Sequence, residues 1–450
     1  MRYAASLKPD EEDITLKKSR LPEDFDLVVE MAAAIPAFSL GGVKHGADVV
    51  FHSRELAAAP PGGAGGGAAS ASASASASAA ASAPAAAPAA ASASASASAA
   101  ASAAAAGAGP SGGAGAAPDL VSATSADYYA DSYAHFGIHE EMLKDEVRTR
   151  SYMNAILQNK HLFKDKVVLD VGCGTGILSM FAAKAGARLV IGVDMSSIIE
   201  QARIIVAANG FADRIVLLKG KMEEVVLPAG VDKVDIIISE WMGYFLLYES
   251  MLDTVLYARD RYLAPGGLLF PDKATLMLCG IEDGEYREEK IEFWRSVYGF
   301  DMSCIRDMAI LEPLVDTVNP EAIATDHCKL WTLDLATVTK ADLAFECPWH
   351  LTLKRNDFLH AVVAYFDIEF SHCHKPVRFS TGPHAKYTHW KTTVFYLSEP
   401  VTGEEGEAVH GVLRCAPNAK NHRDLDIEIR YAFAGRNGAA IDVTQPYRLR

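Results

Sequence analysis

A strand that runs into a glycine-rich turn is the feature that most constrains the fold of this chain. Residues Val167–Val171 are all apolar except Asp170 and predict a buried strand, which Gly172, Gly174 and Gly176 follow. We predict a helix after the turn, ending near residue 186. A turn so rich in glycine lets the backbone approach a ligand closely.

The spacing of the glycines argues against a dinucleotide. The dinucleotide fingerprint would place its third glycine at position 177, which is Ile177. Asp194 ends the next apolar strand, where a carboxylate can accept both hydroxyls of a ribose, and Asp170 comes just before the turn. An adenosine-bearing ligand without a pyrophosphate fits this pattern, and S-adenosylmethionine is the natural candidate.

Strand signals alternate with helical stretches from residue 119 to about residue 270. This alternation predicts an α/β fold with a parallel sheet flanked by helices. Ligands of such sheets bind beyond the carboxyl ends of the strands, where Asp194, Glu223 and Glu240 fall. The predicted strands are Val167–Val171, Leu189–Val193, Ile215–Leu218, Val234–Ser239 and Leu268–Phe270.

Two glutamates lie on either side of a loop that leaves a predicted buried strand. They are Glu240 and Glu249, within the segment Ser239–Ser250. Two carboxylates held close together repel one another unless a cation lies between them. A planar guanidinium can donate bidentate hydrogen bonds to such a pair, which favours a site for arginine over one for lysine. The alternative is a pair of exposed glutamates at the start of a helix.

The pattern changes after Pro271, where apolar strands follow one another with few helical stretches between them. We expect an antiparallel barrel or sandwich as a second domain. Its predicted strands are Leu351–Leu353, Ala361–Phe370, Thr392–Leu397, Gly411–Arg414 and Leu425–Phe433.

The beginning of the chain differs from the rest in composition. Residues 57–118 are almost entirely Ala, Ser, Gly and Pro, which cannot build a core, so we predict a flexible, disordered linker. Residues 1–56 contain several acids, so we expect neither a secretory nor a transit signal there. The apolar stretch Leu27–Leu40 is too short to span a bilayer, and Arg2 excludes myristoylation. We assign no fold to residues 1–56.

Charge and cysteine usage indicate an intracellular protein that does not bind nucleic acid directly. The formal net charge of −15 disfavours nucleic acid and attracts basic peptides. The seven cysteines lack the paired spacing of a metal site, and without a secretory signal they predict reduced thiols. We expect a protein of the nucleus and cytoplasm, with no metal and no membrane partner.

Four motifs resemble, in the same order, those of the type I protein arginine methyltransferases. They are Asp127–Tyr133, the glycine turn, the loop that carries both glutamates, and Tyr387–Trp390. The resemblance runs from about residue 125 to residue 450. It implies methyl transfer from S-adenosylmethionine to the guanidinium nitrogens of protein arginines, giving monomethyl and asymmetric dimethyl arginine. The implied substrates are glycine-arginine-rich segments and histone tails.

The resemblance also implies roles for individual residues. Glu240 and Glu249 would hold the substrate guanidinium, while His389 would pair with Asp145 to order the site and help carry away the proton. The implied cofactor contacts are His139, Arg148, Asp170, Gly172, Gly174, Asp194, Met222 and Glu223. The implied substrate pocket contains Tyr133, Met142 and Met251.

Four of these residues recur at every third position. They are His139, Met142, Asp145 and Arg148, a spacing that puts neighbours on one helical face. We expect one lid helix that folds over the cofactor, the alternative being an exposed polar face.

One departure from the family pattern bears on the cofactor. Asp194 stands where the family usually has glutamate, which retains the carboxylate but shortens its reach by one methylene. We expect ribose binding to survive with weaker cofactor affinity. Two alternatives to a protein methyltransferase stay open: a cofactor-binding scaffold that has lost activity, and a small-molecule methyltransferase.

The segment 287–318 resembles the dimerisation arm of the family. It contains the aromatic-rich stretch Phe293–Met302, for which a helix packed on the barrel is the alternative. An arm of this kind implies a homodimer or a higher oligomer. The predicted division of the chain is an extension at 1–56, a linker at 57–118, a Rossmann-like S-adenosylmethionine-binding domain at 119–270 and a β-barrel domain with its arm at 271–450.

Overall fold

The computed structural model describes residues 133, 135–436 and 438–450, together with the backbone of three short strands nearer the start of the chain. The chain divides into two compact units, residues 1–90 and 91–450. In the first unit, an antiparallel sheet has β3 at its centre. Its strands are β1 (Arg2–Ala5), β2 (Asp26–Glu30) and β3 (Val49–Arg54). The linker predicted at 57–118 lies outside the described residues.

A five-stranded parallel sheet is the first of three sheets in the described part of the second unit. Its order is β6-β5-β4-β7-β8, and every adjacent pair is parallel. The order reverses at the centre, between β4 and β7, which is the switch point where such sheets bind ligands. The predicted α/β fold is therefore confirmed. The strands are β4 (Val167–Val171), β5 (Leu189–Asp194), β6 (Ile215–Lys219), β7 (Val234–Ile238) and β8 (Leu263–Phe270).

Helices flank this sheet and precede it. They are α1 (Phe136–Lys144), α2 (Glu146–Leu157), α3 (Lys160–Phe163), α4 (Ile177–Lys184), α5 (Ile198–Ala208) and α6 (Met251–Tyr262). Across residues 133, 135–436 and 438–450, none of the helices combines the length and the apolar character that crossing a membrane requires.

The prediction of a single lid helix through Asp145 is wrong. Helix α1 ends at Lys144, and Asp145 has an extended backbone with ψ at 95°. Its side chain then caps α2, because Oδ1 accepts a hydrogen bond from the backbone N–H of Arg148 at 2.9 Å. An aspartate at such a cap position satisfies a donor that would otherwise lack a partner.

Two antiparallel sheets make up the rest of the second unit. One has the order β10-β15-β13-β9-β11, with β14 paired to β13, and the other is β12-β16-β17-β18. An isolated β-bridge between Thr325 and Leu353 joins the two sheets at one edge. At the other edge, the Ser398 N–H donates a hydrogen bond to Gln445 Oε1 at 2.8 Å. The predicted barrel is confirmed. Its strands are β9 (Lys273–Ile281), β10 (Leu314–Asp316), β11 (Ile323–Asp334), β12 (Phe345–Thr352), β13 (Asp357–Phe370), β14 (Val377–Ser380), β15 (Thr392–Gly403), β16 (Ala408–Pro417), β17 (Leu425–Ala434) and β18 (Ala440–Leu449).

Tyr152 of α2 links the parallel sheet to the barrel. Its side chain is fully buried and packs edge-on against Phe370 of β13, with 4.9 Å between ring centroids. Its hydroxyl donates to the carbonyl of Ser239, directly after β7, at 2.9 Å. The start of the glutamate-bearing loop is therefore fixed against both halves of the unit.

The segment between β9 and β10 is built from short helical turns. Tyr298 and Phe300 within it are 97% and 69% exposed. The turns are α7 (Gly284–Tyr286), a π-helical turn (Arg287–Ile291), a 3₁₀ turn (Glu292–Arg295) and α8 (Ser303–Ala309). Large apolar side chains left exposed in one segment indicate a surface for a partner.

Candidate active site

The glycine turn lies directly after β4, at the switch point of the sheet. Gly172, Gly174 and Gly176 have φ of 72°, 52° and 82°, which other residues rarely adopt. A Cβ on Gly172 would come within 2.6 Å of Met251 Cε, and one on Gly174 within 3.4 Å of the His139 ring. The turn is therefore bordered by α6 on one side and α1 on the other.

Asp194 is tied to this turn by the protein itself. Its Oδ2 accepts from the Gly174 N–H at 2.8 Å, and its Oδ1 accepts from the N–H and the hydroxyl of Ser196 at 2.8 and 2.7 Å. A carboxylate offers about four acceptor positions, so the protein occupies most of them. This leaves limited capacity for the ribose hydroxyls that the prediction assigns to Asp194.

Asp170 is fully buried at the base of the turn. Its Oδ2 accepts from the Ser179 hydroxyl at 2.6 Å, while its Oδ1 has no hydrogen-bond partner among the described residues. Burial raises the pKa of Asp170 to about 7. A buried acceptor without a partner beside a glycine cradle fits a ligand that brings a donor, as the ammonium group of a methionine moiety does.

The end of β6 supplies the residues predicted to contact adenine. Met222 is 3% exposed, and Glu223 Oε1 accepts from the hydroxyl of Thr254 on α6 at 3.1 Å. Both therefore lie beyond the carboxyl end of a strand adjacent to β5, on the same edge of the sheet as the glycine turn.

Glu240 is held in an ion pair with Arg148. The Arg148 Nε donates to Glu240 Oε2 at 2.9 Å, and each side chain is only 8% exposed. Arg148 Nη1 also donates to the carbonyl of Met142 at 3.3 Å. The carboxylate of Glu240 thus already binds one guanidinium in a shielded position, where such pairing is strong. The cofactor contact implied for Arg148 stays a prediction.

Glu249 is the second carboxylate of the pair, and its backbone is strained. Glu249 and Ser250 have φ of 75° and 57°, an unusual conformation for residues other than glycine that often marks functional sites. Glu249 Oε2 accepts from the Tyr133 hydroxyl at 2.8 Å. Burial raises the pKa of Glu249 to about 7, the charge of Glu240 adds to the rise, and Tyr133 and Arg423 oppose it. The two carboxylates are therefore close enough to interact.

His389 and Asp145 meet across the two halves of the unit. Asp145 Oδ2 accepts from the backbone N–H of His389 at 2.9 Å and lies 2.8 Å from its Nδ1. Burial favours the protonated form of Asp145, but the hydrogen bonds from His389 and Arg148 outweigh it, so its pKa is lowered. Trp390 Nε1 donates to the Met242 carbonyl at 2.7 Å, which ties the same loop to the glutamate loop.

Tyr133 and His139 complete the side of the site nearest α1. His139 Nε2 lies 2.9 Å from the Tyr133 carbonyl oxygen, and the Tyr133 hydroxyl reaches Glu249. The structure thus brings most of the residues singled out from the sequence to one end of the sheet, with Met142 contributing a carbonyl contact to Arg148, and their binding roles stay predictions. It also adds Arg423, whose Nη1 donates to the Glu249 carbonyl at 2.7 Å. The sequence there carries only turn signals, so nothing in it pointed to a site.

The described part of the chain offers no evident metal site. In residues 133, 135–436 and 438–450, no three His, Cys, Asp or Glu side chains are grouped so that they could hold a metal ion.

Comparison with known proteins identifies the family. A methyltransferase domain model matches residues 168–267, and the arginine methyltransferase oligomerization subdomain matches residues 272–436. Protein arginine N-methyltransferase 1 of Chlamydomonas reinhardtii is 60% identical over 340 residues, which cover 75% of this chain and 98% of that protein. The chain belongs to the protein arginine N-methyltransferase family. Its resemblance to the family, predicted from four motifs, is therefore confirmed.

Further family members agree with this assignment. Protein arginine N-methyltransferase 1 of Schizosaccharomyces pombe is 63% identical over 313 residues, covering 70% of this chain and 92% of that protein. One solved structure is described as the Trypanosoma brucei PRMT1 enzyme-prozyme heterotetrameric complex with AdoHcy. Its sequence is 50% identical and its TM-score is 0.69, and the match covers 71% of this chain and 100% of the Trypanosoma brucei chain. Arabidopsis thaliana protein arginine methyltransferase 10 is 30% identical, with a TM-score of 0.64, over 72% of this chain and 100% of that one.

Proposed function

We propose that this chain methylates protein arginines with S-adenosylmethionine, giving monomethyl and asymmetric dimethyl arginine. The observation that carries the proposal is the shielded pair Glu240 and Glu249. The two carboxylates interact electrostatically, and one of them already accepts a hydrogen bond from a guanidinium of the chain, Arg148. We expect substrates with exposed arginines in flexible, basic segments, namely glycine-arginine-rich segments and histone tails, which the net charge of −15 attracts.

The residues around the glycine turn are suited to hold the cofactor. S-adenosylmethionine, when bound, supplies the methyl group of its sulfonium. Asp170 offers a buried acceptor to the methionine part, and the turn allows close backbone approach. Asp194 would meet the ribose and Glu223 the adenine, with His139 and Arg148 covering the opposite side. The solved Trypanosoma brucei relative is described as a complex with AdoHcy, which supports this assignment.

The two glutamates prepare the substrate guanidinium for transfer. Both would accept hydrogen bonds from it, which fixes its plane and concentrates its positive charge on the nitrogen that does not react. The reacting nitrogen is then the more nucleophilic one. Glu249 has to be ionised for this role, and a guanidinium beside it favours ionisation because opposite charges stabilise one another. The Asp145–His389 pair is placed to help carry away the released proton.

We further propose that the enzyme works as a homodimer or a higher oligomer in the nucleus and cytoplasm. The arm at 287–318 presents the exposed side chains of Tyr298 and Phe300. The oligomerization subdomain of the family spans this segment, and the Trypanosoma brucei relative is described as heterotetrameric. Apolar side chains exposed on an arm favour association with a second copy.

A methyl-transfer assay on two variants tests the proposed function. Glu240→Gln and Glu249→Gln keep the shape of each side chain but remove its charge. With labelled S-adenosylmethionine and a glycine-arginine-rich peptide, we expect kcat to fall by about 10²-fold or more in each, since electrostatic contacts of this kind have that magnitude. Affinity for S-adenosylhomocysteine should stay within about threefold.

A matched control removes a glutamate charge elsewhere. Glu346 is exposed and pairs with Arg414 on the outside of the barrel, so Glu346→Gln should retain the wild-type rate. Unchanged kcat in both active-site variants would contradict the proposed role of the pair.

A further inference from the structure

A turn of the barrel holds the backbone of Glu249 in place by hydrogen bonds. The turn comprises residues 418–424, between β16 and β17. The Glu249 N–H donates to the Arg423 carbonyl at 2.9 Å, and Arg423 Nη1 donates back to the Glu249 carbonyl at 2.7 Å. The Ser250 hydroxyl donates to the carbonyl of His422. Three hydrogen bonds thus connect the glutamate loop to a turn 174 positions further along the chain.

The backbone held by this turn has a conformation that is unfavourable for residues other than glycine. Glu249 and Ser250 are consecutive residues with φ of 75° and 57°, and neither is a glycine. Such conformations persist only where the surroundings fix them. The direction in which the Glu249 carboxylate points depends on this backbone. Contacts on both its N–H and its carbonyl therefore set the direction.

The turn at 418–424 is itself stiff enough to act as a support. Asn418 Oδ1 accepts from the N–H groups of Lys420 and Asn421 at 2.9 and 3.1 Å. Asn421 Oδ1 accepts from the Arg423 N–H at 3.2 Å, and the Asn418 N–H donates to the Asp424 carbonyl at 2.9 Å. Asn421 and Asp424 are buried. Side-chain bonds of this kind fix turns in one conformation.

Arg423 also acts on Glu249 through its charge. Burial raises the pKa of Glu249 to about 7, and the Tyr133 hydroxyl and the Arg423 guanidinium both counteract that rise. Removing the positive charge leaves the ionised carboxylate less stable, so its pKa moves further up. The fraction of enzyme with an ionised Glu249 then falls at neutral pH.

We propose that Arg423 is a positioning residue for methyl transfer, which from the barrel orients Glu249 and places a positive charge beside it. The proposal rests on the proposed function, since it assigns Glu249 to the substrate guanidinium. Arg423 acts through Glu249 and not on the substrate. The barrel thereby takes part in the chemistry of a site whose other carboxylate, Glu240, follows a strand of the parallel sheet.

The test is a pH profile of kcat/KM, which reports the free enzyme, for Arg423→Gln and Arg423→Lys in the full chain. The glutamine variant loses the charge, so the acid limb of its profile should move to higher pH by about one unit, a shift typical of losing one nearby opposite charge. At pH 7, kcat/KM should fall by about fivefold, since raising a pKa of about 7 by about one unit lowers the ionised fraction of Glu249 from about a half to about a tenth. The lysine variant keeps the charge, so its acid limb should stay within about 0.3 units of wild type.

A control and a second variant make the result decisive. Arg430→Gln removes an exposed arginine of the same strand region that pairs with Asp442, and it should retain the wild-type profile. All variants should bind S-adenosylhomocysteine as the wild type does. If Arg423→Gln fails to bind it, Arg423→Met carries the test, because it keeps an unbranched side chain without the charge. The same shift of the acid limb is expected, with cofactor affinity unchanged.

The outcomes separate this proposal from the proposed function. A wild type that methylates the peptide, beside an Arg423→Gln or Arg423→Met variant with wild-type kcat/KM and acid limb, overturns the role of Arg423 alone. Equal shifts of the acid limb in the glutamine and lysine variants also overturn it, since the charge would then be irrelevant. A wild type that transfers no methyl group to any arginine peptide overturns the proposed function instead.

Discussion

Replacing Asp145 by asparagine tests how the break between α1 and α2 is held. Asp145 serves three donors: its Oδ1 caps α2 at Arg148, and its Oδ2 faces both the backbone N–H and the ring of His389. Asparagine keeps a carbonyl oxygen for the cap, and the two residues are about equal as caps. Its amide nitrogen replaces Oδ2 and cannot accept from His389.

The expected loss can be worked from these contacts. Two hydrogen bonds to a charged, buried acceptor disappear, at about 1.5 kcal/mol each, so the free energy of unfolding should fall by about 3 kcal/mol. For a unit of this size that corresponds to a melting temperature lowered by about 5 °C. Since His389 then loses its anchor, kcat should fall by about tenfold or more.

The pH dependence of the loss provides a second readout. The pKa of folded Asp145 lies below its ordinary value, because the hydrogen bonds from His389 and Arg148 outweigh burial. A depressed carboxyl pKa stabilises the fold above the unfolded value of about 4 and ceases to do so as the pH falls through the folded value. The difference in melting temperature should therefore be complete at pH 7 and shrink on acidification below about pH 4.

Thermal melts of the wild type, Asp145→Asn and a control measure this directly. Asp442→Asn is the control, because Asp442 pairs with Arg430 on the exposed barrel surface, where an ion pair contributes at most about 1 kcal/mol. A melting temperature of Asp145→Asn within about 1 °C of wild type at pH 7 would show that the contacts with His389 do not stabilise the fold, as would a difference that grows toward low pH.

Two further predictions concern the cofactor and the start of the chain. Asp194→Glu should bind S-adenosylhomocysteine at least about threefold more tightly, because the longer side chain can reach the ribose hydroxyls beyond Ser196 and Gly174. Calorimetry measures this affinity. Weaker binding would mean that the three bonds of Asp194 to Gly174 and Ser196 contribute more than a contact with the ribose. Deleting residues 1–118 should leave kcat and KM within about twofold of the full chain, because every candidate site residue lies at position 133 or beyond. A folded, oligomeric truncation without activity would contradict that expectation.

The parallel sheet and the cofactor turn could be predicted because their signals are local. The apolar run at Val167–Val171, the glycines after it and the acid ending the next strand each follow from a few adjacent residues. The strand bounds differ from the prediction at β8, which begins at Leu263, because Pro265 and two glycines mask the strand pattern there.

The barrel was predicted only in part. Strands β9, β10, β11, β14 and β18 were not singled out. In β11 and β18, His, Lys, Asp and Gln interrupt the apolar pattern, while pairing with β9 and β17 still fixes these strands. Strand β17 was found because its side chains alternate between buried and exposed throughout. Pairing between distant strands decides such elements more than the composition of the strand itself does.

The break at Asp145 and the role of Arg423 could not be predicted for the same physical reason. The residues around Asp145 are good helix formers, and contacts with His389, 244 positions away, help to fix Asp145 at the break. Arg423 reaches Glu249 only after the barrel has brought its turn to the parallel sheet. Both depend on tertiary contacts rather than on local sequence.

The most direct test of arginine methylation is the identity of the product. The purified full chain would be incubated with S-adenosylmethionine and a glycine-arginine-rich peptide, beside the same peptide with every arginine replaced by lysine, and both would be sequenced by mass spectrometry. We predict monomethyl and asymmetric dimethyl arginine in the first peptide, about 10²-fold less of both from the Glu240→Gln variant, and no methylation of the lysine peptide. Symmetric dimethyl arginine, methylated lysine, or no product from an enzyme that binds S-adenosylhomocysteine would contradict it.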